Sequence, residues 1–363
     1  MKNNSFEKFI KILPSLISVF IGLVLGWYLL FITKPLDSFG GLGVILAGGF
    51  TDGLPGAILW LYTATPIILT GMSVAFSIRT GLFNIGASGQ FTAGACASVI
   101  TSCCLPETFP PLFNTLLAIL AGIAAGALCG AIVGAMKAYF GVSEVITGIM
   151  FNYIVMLLAN LLIKSFAYNS TFNRSADIPT SAAISGNFIF PIAVAAVLVI
   201  KFILDRTALG YELKIIGKNR NAGIYAGIND KKSILLAMAF AGALAGMGGT
   251  LMFMSNYGDH IQVVETVMQQ GFDGISVALL GMSSPIGVII AGLFIAHITV
   301  GGSYLQLYSY TPDVVSMIVA IIVYCGALVL PIKIIIENII RDREVQKEKQ
   351  AKIDRIRGKE VEA

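Results

Sequence analysis

Several amide side chains in this sequence stand inside long apolar runs, where polar groups are rare. Asn84 and Gln90 lie in the glycine-rich stretch 79–91, and Asn152 lies well inside another apolar run. An amide removed from water must find a hydrogen-bond partner, so each of these side chains faces either another part of the protein or a passing solute. These residue types indicate polar recognition and no bond-breaking chemistry.

Two carboxylate side chains also stand at the start of apolar runs. Glu144 follows Ser143 at a predicted helix start, where a capping hydroxyl and a negative charge both suit the free N–H groups of the first turn. Asp273 opens a short apolar segment, and a carboxylate inside a membrane costs about 2.5–3.5 kcal/mol, so it usually faces a cavity or a partner. For both residues, a structural role and a role at a solute site stay open.

The sequence lacks the residue patterns of catalysis, metal binding and ATP hydrolysis. It has two histidines, no G-x-x-x-x-G-K-[ST] string and no catalytic cluster. The five cysteines lie in apolar runs without paired spacing, which favours simple packing: Cys96, Cys103, Cys104, Cys129 and Cys325. We therefore expect a chain that is not an enzyme, with no catalytic residue, metal or cofactor; any ATP must be hydrolysed by a partner.

The composition identifies the environment of the chain. Of its 363 residues, 56% are hydrophobic and only 12% are charged, whereas a soluble domain carries about 25% charged residues. The net charge of +4 and the clustering of the basic residues also exclude a nucleic-acid-binding chain. The sequence predicts an all-α integral membrane protein with several spans.

Ten apolar runs are candidates for crossing helices, since about 20 residues span the hydrocarbon core. They are residues 13–32, 57–78, 90–105, 112–136, 144–163, 188–204, 233–254, 272–282, 285–303 and 313–332. Runs 90–105 and 272–282 are short, and backbone that stops inside a membrane is tolerated only beside protein or a watery cavity. We expect 8–10 transmembrane helices in one domain over 1–363, with a membrane core over 13–332 and a charged cytoplasmic tail over 333–363.

Lysine and arginine residues set the orientation of a membrane chain, because they are retained on the cytoplasmic side. With ten crossings and the N-terminus inside, all of them except Lys34, Lys164 and Arg174 fall on cytoplasmic segments. Both termini and the connection 205–232 are therefore predicted to be cytoplasmic.

Glycines recur every four residues in two of the apolar runs. They are Gly122, Gly126, Gly130 and Gly134 in one run, and Gly242 and Gly246 in the other. Such a stripe lets a second helix backbone approach closely. Packing within the chain is the favoured interpretation, and a dimer or pore-lining seam is the alternative.

The cytoplasmic connection 205–232 has regular apolar positions. Leu213 belongs to a first group and Tyr225 to a second, with Gly217 and Asn219 between the groups. This pattern predicts two short amphipathic helices separated by a turn. A solvated basic loop is the alternative, but the apolar faces favour a docking surface for a cytoplasmic partner.

Four stretches carry recognisable motifs. Residues 81–90 read GLFNIGASGQ, residues 144–153 read EVITGIMFNY and residues 271–287 read GFDGISVALLGMSSPIG. The fourth is cytoplasmic and keeps Gly217, Asn219, Tyr225, Ala226, Gly227 and Ile228. In this order, over roughly residues 57–330, they resemble the permeases of branched-chain-amino-acid and simple-sugar ABC transporters, nearest to the nucleoside-type members. Ser88 replaces a glutamate of that pattern, which bears on selectivity, and Arg220 and Gly223 replace its proline and alanine.

The resemblance implies a permease subunit in the cell membrane that imports nucleosides by alternating access. It also implies a second homologous permease subunit, a cytoplasmic ABC ATPase dimer and an extracellular or lipid-anchored solute-binding protein. The expected solute pathway residues are Phe83, Asn84, Ser88, Gln90, Asn152, Phe272 and Asp273. The expected ATPase-coupling residues are Gly210, Leu213, Gly217, Asn219, Ala222, Tyr225 and Gly227.

Two other classes of protein compete with this interpretation. An ion-coupled secondary transporter would need ionisable or carbonyl ligands near the middle of the membrane, where the sequence offers few candidates. A membrane-embedded enzyme would need a catalytic cluster, and none is visible. Within the transporter class, riboflavin-like compounds and simple sugars are the alternative solutes.

Overall fold

The computed structural model describes residues 4–106, 109–257, 260–326, 328–339, 341 and 346. In chain order its helices are α1 (Asn4–Thr33), α2 (Ser38–Ala47), α3 (Gly53–Arg79), α4 (Ala87–Cys104), α5 (Pro111–Phe140), α6 (Glu144–Phe166), α7 (Gly186–Arg206), α8 (Ala208–Lys218), α9 (Arg220–Tyr225), α10 (Asp230–Phe253), α11 (Gln270–Leu280), α12 (Pro285–Tyr304) and α13 (Pro312–Gly326). The chain is helical again over 329–339. The strands β1 (Tyr168–Asn169) and β2 (Arg174–Ser175) form a short antiparallel hairpin between α6 and α7.

Eight of the described helices are long and apolar enough to cross a membrane. These helices, with only two short strands in the described residues, confirm the prediction of an all-α polytopic membrane protein. The two runs predicted to be short form α4 and α11, and neither is among the eight. Most of the predicted charged tail, 333–363, lies outside the described residues.

Helix α2 and the 3₁₀ turn Gly48–Phe50 were not expected from the sequence, because their apolar run is too short to cross a membrane. Contacts with α12 hold them in place. The His297 ring lies against Gly48, where a Cβ atom would overlap it, and His297 Nε2 is 2.9 Å from the Leu46 carbonyl oxygen. The position of this segment is therefore set by tertiary packing and not by a local sequence pattern.

The glycine stripes of α5 and α10 face each other within the chain. A Cβ atom on Gly126 would lie 2.7 Å from Gly246 Cα, and one on Gly246 would lie 2.8 Å from Gly126 Cα. Gly130 lies against Gly242, and Gly134 lies against Met238. The two backbones are thus in direct contact, which is the packing within the chain that the spacing favours.

The crossing after α10 is broken. Between Phe253 and α11 the described residues form no regular helix. Helix α11 itself has 11 residues and is about 16 Å long, roughly half the hydrocarbon thickness. A tight turn follows, in which Met282 and Ser283 have φ of 52° and 53° and the Gly281 and Gly287 backbones touch. Helix α11 is therefore a half-helix with an interruption at each end.

Candidate functional site

The segment 260–269, which leads into α11, is extended, and the protein satisfies several of its backbone groups. At its outer end it pairs with β2 and the turn before it: Ser175 N donates to Ile261 O at 2.8 Å, and Val263 N donates to Asn173 O at 3.0 Å. His260 Nε2 also lies 2.6 Å from Asp177 Oδ1. These contacts fix where the extended segment enters the bundle.

Deeper in the bundle, side chains from α6 and α4 hold the same segment. Asn160 Nδ2 donates to Val264 O at 2.9 Å, and Ser88 Oγ donates to Met268 O. Asn160 belongs to an apolar helix long enough to cross a membrane, so these contacts lie at membrane depth. Non-helical backbone at that depth occurs only where protein or a water-filled cavity surrounds it.

A cavity of about 410 Å³ lies between this segment, α4, α6 and α10, within the range of small-molecule sites. Its walls combine apolar side chains such as Phe253 and Met156 with hydroxyl and amide groups: Thr92, Asn160, Gln262, Thr266, Gln269 and Gln270. Among the described residues, those lining it include no lysine, arginine, aspartate or glutamate, and one histidine, His260. The cavity therefore suits an uncharged solute with hydrogen-bonding groups.

A second cavity, of about 540 Å³, lies between α4, α5 and α6. Its lining is almost wholly apolar and includes Leu128, Ile154 and Leu158. It offers almost no hydrogen-bonding group to a polar solute, so the first cavity is the better candidate site.

The amides expected to line a pathway are bonded to protein. Asn84 Nδ2 donates to Gln90 Oε1 at 2.7 Å and to Ser73 Oγ at 3.0 Å, and Gln90 Nε2 donates back to Asn84 Oδ1 at 3.1 Å. All three side chains are fully buried. They join the 80–86 link to α3 and to the first turn of α4.

Asn152 of α6 completes this arrangement, which we call the amide clamp (Asn84, Gln90 and Asn152). Its Oδ1 accepts from Gly89 N at 2.8 Å, and its Nδ2 donates to Ile85 O at 3.1 Å. The structure thus brings the three predicted amides together around the start of α4. None of them lines the cavity.

The other predicted pathway residues lie around the clamp. Ser88 touches the broken crossing twice, through its bond to Met268 and through packing of its backbone on Gly271. Phe272 and Asp273 are half-buried in the first turn of α11, where Asp273 Oδ1 accepts from Gln269 Nε2 at 3.2 Å. Phe83 packs on the hydrophobic core. The cavity itself is lined by residues other than the predicted pathway residues, although Asn160 stands in an apolar run as Asn152 does.

The helix start at Glu144 is where the sequence predicts it, but the expected capping is absent. Ser143 occupies the N-cap position without a side-chain capping bond. Glu144 is 9% exposed and forms an ion pair with Lys137 at the end of α5. The partner of this carboxylate is therefore a lysine across the turn, which accounts for its burial without a solute.

Helices α8 and α9 form the predicted pair of short helices in the connection 205–232. Thr207 Oγ1 accepts from Gly210 N at 3.2 Å at the start of α8, and Asn219 Oδ1 accepts from Ala222 N at 3.1 Å at the start of α9. The hydroxyl and the amide thus satisfy first-turn donors, and the break falls at Asn219. Local sequence signals therefore determine where both helices begin.

The predicted coupling residues divide into two faces. Gly210 and Leu213 are buried, and Gly217 packs against the backbone just after α3, where a Cβ atom would lie 2.6 Å from Gly81 N. Asn219, Ala222, Tyr225 and Gly227 are exposed, and Tyr225 is 93% exposed. One face therefore holds the helix pair to the bundle at the start of the 80–86 link, and the other is free for a partner.

Long apolar helices, a broken crossing and an uncharged cavity at membrane depth define a multi-pass membrane transport protein. The family model described as "Branched-chain amino acid transport system / permease component" matches residues 56–325. The chain belongs to this family of permeases and is a multi-pass protein of the cell membrane.

Two curated relatives are similar over most of their length. The nucleoside ABC transporter permease protein NupB of Lactococcus lactis subsp. cremoris is 32% identical over 308 residues, which are 80% of this chain and 83% of NupB. The guanosine ABC transporter permease protein NupP of Bacillus subtilis is 31% identical over 332 residues, 86% of this chain and 92% of NupP.

A third relative, with lower identity, is named for a different solute. The glucose ABC transporter permease protein TsgB13 of Haloferax volcanii is 28% identical over 266 residues, 68% of this chain and 69% of TsgB13. No solved structure matches.

Proposed function

We propose that this chain is the membrane permease subunit of an ATP-driven importer that moves nucleosides into the cell. The observation that carries the proposal is the similarity to NupB and NupP over at least four-fifths of this chain. The cavity agrees with this solute class, because its amides and hydroxyls offer donors and acceptors while Phe253 and the methionines offer an apolar surface to a base.

The charge of the cavity narrows the solute class further. Moving an ionised group out of water is costly unless a partner of opposite charge meets it. Among the described residues that line the cavity, only His260 is titratable. Neutral nucleosides therefore fit the cavity better than nucleotides or sugar acids, and an ion-coupled mechanism finds few ionisable ligands there.

The proposed complex contains two permease subunits, a cytoplasmic ATPase dimer that hydrolyses the ATP and an extracellular or lipid-anchored binding protein. In it, both termini of this single-domain chain are cytoplasmic, and the exposed face of α8 and α9 seats on the ATPase. The predominance of lysine and arginine on the same side supports this orientation.

The proposed coupling runs through direct contacts. Gly217 of α8 touches the Thr80–Gly81 backbone, the link from Gly81 leads to the amide clamp, and Ser88 in the same turn bonds Met268 of the broken crossing. Closure of the ATPase would move α8 and, through these contacts, shift α11 and the wall of the cavity. The cavity would then open alternately to the two sides.

Reconstitution tests the function directly. The permease, its ATPase and its binding protein are placed in liposomes, and uptake of labelled guanosine is measured with ATP inside. We expect uptake that needs ATP hydrolysis and survives ionophores that collapse ion gradients. An ATPase variant that cannot hydrolyse ATP is the control. Uptake driven by an ion gradient without ATP, or competition by glucose and not by nucleosides, would contradict the proposal.

A further inference from the structure

Two amides of the cavity are held in one orientation. Asn160 Nδ2 donates to the Val264 carbonyl at 2.9 Å, and Gln269 Nε2 donates to the Asp273 carboxylate at 3.2 Å. Both partners can only accept, so the nitrogen of each amide is identified without ambiguity. The oxygens, Asn160 Oδ1 and Gln269 Oε1, have no hydrogen-bond donor among the described residues. These two groups are fixed acceptors.

Gln270 differs from both. Its backbone oxygen accepts from Thr70 Oγ1 at 2.9 Å, which anchors the start of α11. Gln270 lines the cavity and is half-buried, and its side chain has no hydrogen-bond partner among the described residues. The terminal torsion of a glutamine is soft and roughly two-fold, so a free amide can turn over and present either its oxygen or its NH₂ group.

We propose that Gln270 reads the base of the bound nucleoside and that its freedom to turn lets one cavity accept bases with opposite donor and acceptor edges. The fixed acceptors, Asn160 Oδ1 and Gln269 Oε1, receive the ribose hydroxyls, which all nucleosides share. This inference rests on the proposed function and extends it, because it makes Gln270 the residue that determines specificity. It predicts that the wild-type protein transports both purine and pyrimidine nucleosides.

Gln270→Glu converts the reversible amide into a group that only accepts. Guanine offers a carboxylate two adjacent donors, its N1–H and its N2 amino group. Uracil offers one N–H between two carbonyl oxygens, which a carboxylate repels. The substitution should therefore raise the ratio of guanosine to uridine uptake by about fivefold, the effect of one hydrogen bond of ordinary strength.

The ratio is measured in liposomes that hold the complete transporter, with labelled guanosine and uridine offered together. The affinity of the binding protein for each nucleoside is determined first, and uptake is expressed per loaded binding protein, so that its own preference cancels. Gln306→Glu is the matched control, since it introduces the same charge at an exposed glutamine outside the cavity lining. It should leave the ratio unchanged.

Gln270→Met covers the case in which the carboxylate prevents folding, because methionine is uncharged and of similar length. It should lower the uptake of both nucleosides by about fivefold, while Gln306→Met should not. Wild-type uptake confined to one base, an unchanged ratio in Gln270→Glu or full uptake in Gln270→Met would overturn the assignment. A wild-type transporter that carries no nucleoside at all would refute the proposed function itself, and this inference with it.

Discussion

Replacing Asn152 with leucine should loosen the start of α4 from α6. Gly89 is the third residue of α4, and its N–H is one of the first-turn donors that have no partner within the helix. The N-cap residue Gly86 has no side chain to supply an acceptor, so Asn152 Oδ1, at 2.8 Å, fills that place from another helix. Leucine has nearly the same shape as asparagine and removes this bond, together with the 3.1 Å bond to Ile85 O.

The size of the effect follows from the two lost bonds. Hydrogen bonds between membrane helices average about 0.6 kcal/mol and reach about 1.7 kcal/mol, which gives about 1–3 kcal/mol for the pair. Burial without a partner costs up to about 3 kcal/mol per group in a soluble protein. The smaller figure applies here, because the unfolded chain in a membrane also finds partners for these groups.

Thermal unfolding in detergent measures this loss. A thiol-reactive dye reports unfolding through Cys96 and Cys325, which are 3% and 2% exposed in the folded protein. We expect a fall of about 1–2 °C in the midpoint for each kcal/mol lost, because the entropy of unfolding grows with chain length. Thr147→Val is the matched control on the same helix, since its hydroxyl bonds only to Ser143 O one turn back. Equal midpoints for Asn152→Leu and Thr147→Val would refute the clamp.

Three further substitutions test the packing seam between α5 and α10 and the exposed face of α8 and α9. Gly126→Leu should prevent the protein from eluting as a single symmetric peak in size-exclusion chromatography, because its Cβ atom alone would lie 2.7 Å from Gly246 Cα. Gly43→Leu is the control: Gly43 has open space around it, so this variant should elute normally. Tyr225→Asp should leave the unfolding midpoint unchanged and remove ATPase binding in a pull-down assay, whereas Tyr225→Phe should bind normally; equal binding by both would argue against docking at α9. Arg220→Ala breaks a pair with N–O distances of 2.8 and 2.5 Å that joins the start of α9 to Asp230 at the start of α10. Such an exposed pair contributes at most about 1 kcal/mol, so the midpoint should fall by no more than about 2 °C. ATPase binding should weaken because α9 loses this anchor, and wild-type binding would argue against a role for the pair in docking.

The sequence pattern predicted those elements that depend only on residues near one another in the chain. Apolar runs of sufficient length became the long helices, and Asn219 caps α9 where the sequence placed a break. Glycines at four-residue spacing predicted a seam, because the spacing alone puts Gly122, Gly126 and Gly130 on one helix face. The position of α2 could not be predicted, since the His297 ring that holds it lies about 250 residues away in the chain.

In the candidate site, too, local features could be predicted from the sequence and long-range contacts could not. A polar residue in an apolar run is visible in the sequence, which is why Asn152 was singled out. Whether its partner is protein or solute depends on which backbone arrives beside it, and Gly89 lies 63 residues away in sequence. Gln269 and Gln270 stand where the loop before α11 meets the short apolar run, and no local signal marks them as cavity residues. Only the fold shows that this loop descends beside α6 and forms the cavity wall.

The contacts that lead from α8 to the cavity favour rigid-body motion of α11 in the proposed mechanism. A contact through a long flexible side chain would absorb a small displacement, but Gly217 meets Gly81 backbone to backbone, and Gly271 meets Ser88 in the same way. The extended segment before α11 and the turn at Met282 and Ser283 after it interrupt helical hydrogen bonding at both ends. Helix α11 can therefore tilt without unwinding a neighbour, and because Gln270 is its first residue, the tilt that opens the cavity would also move the group that reads the base.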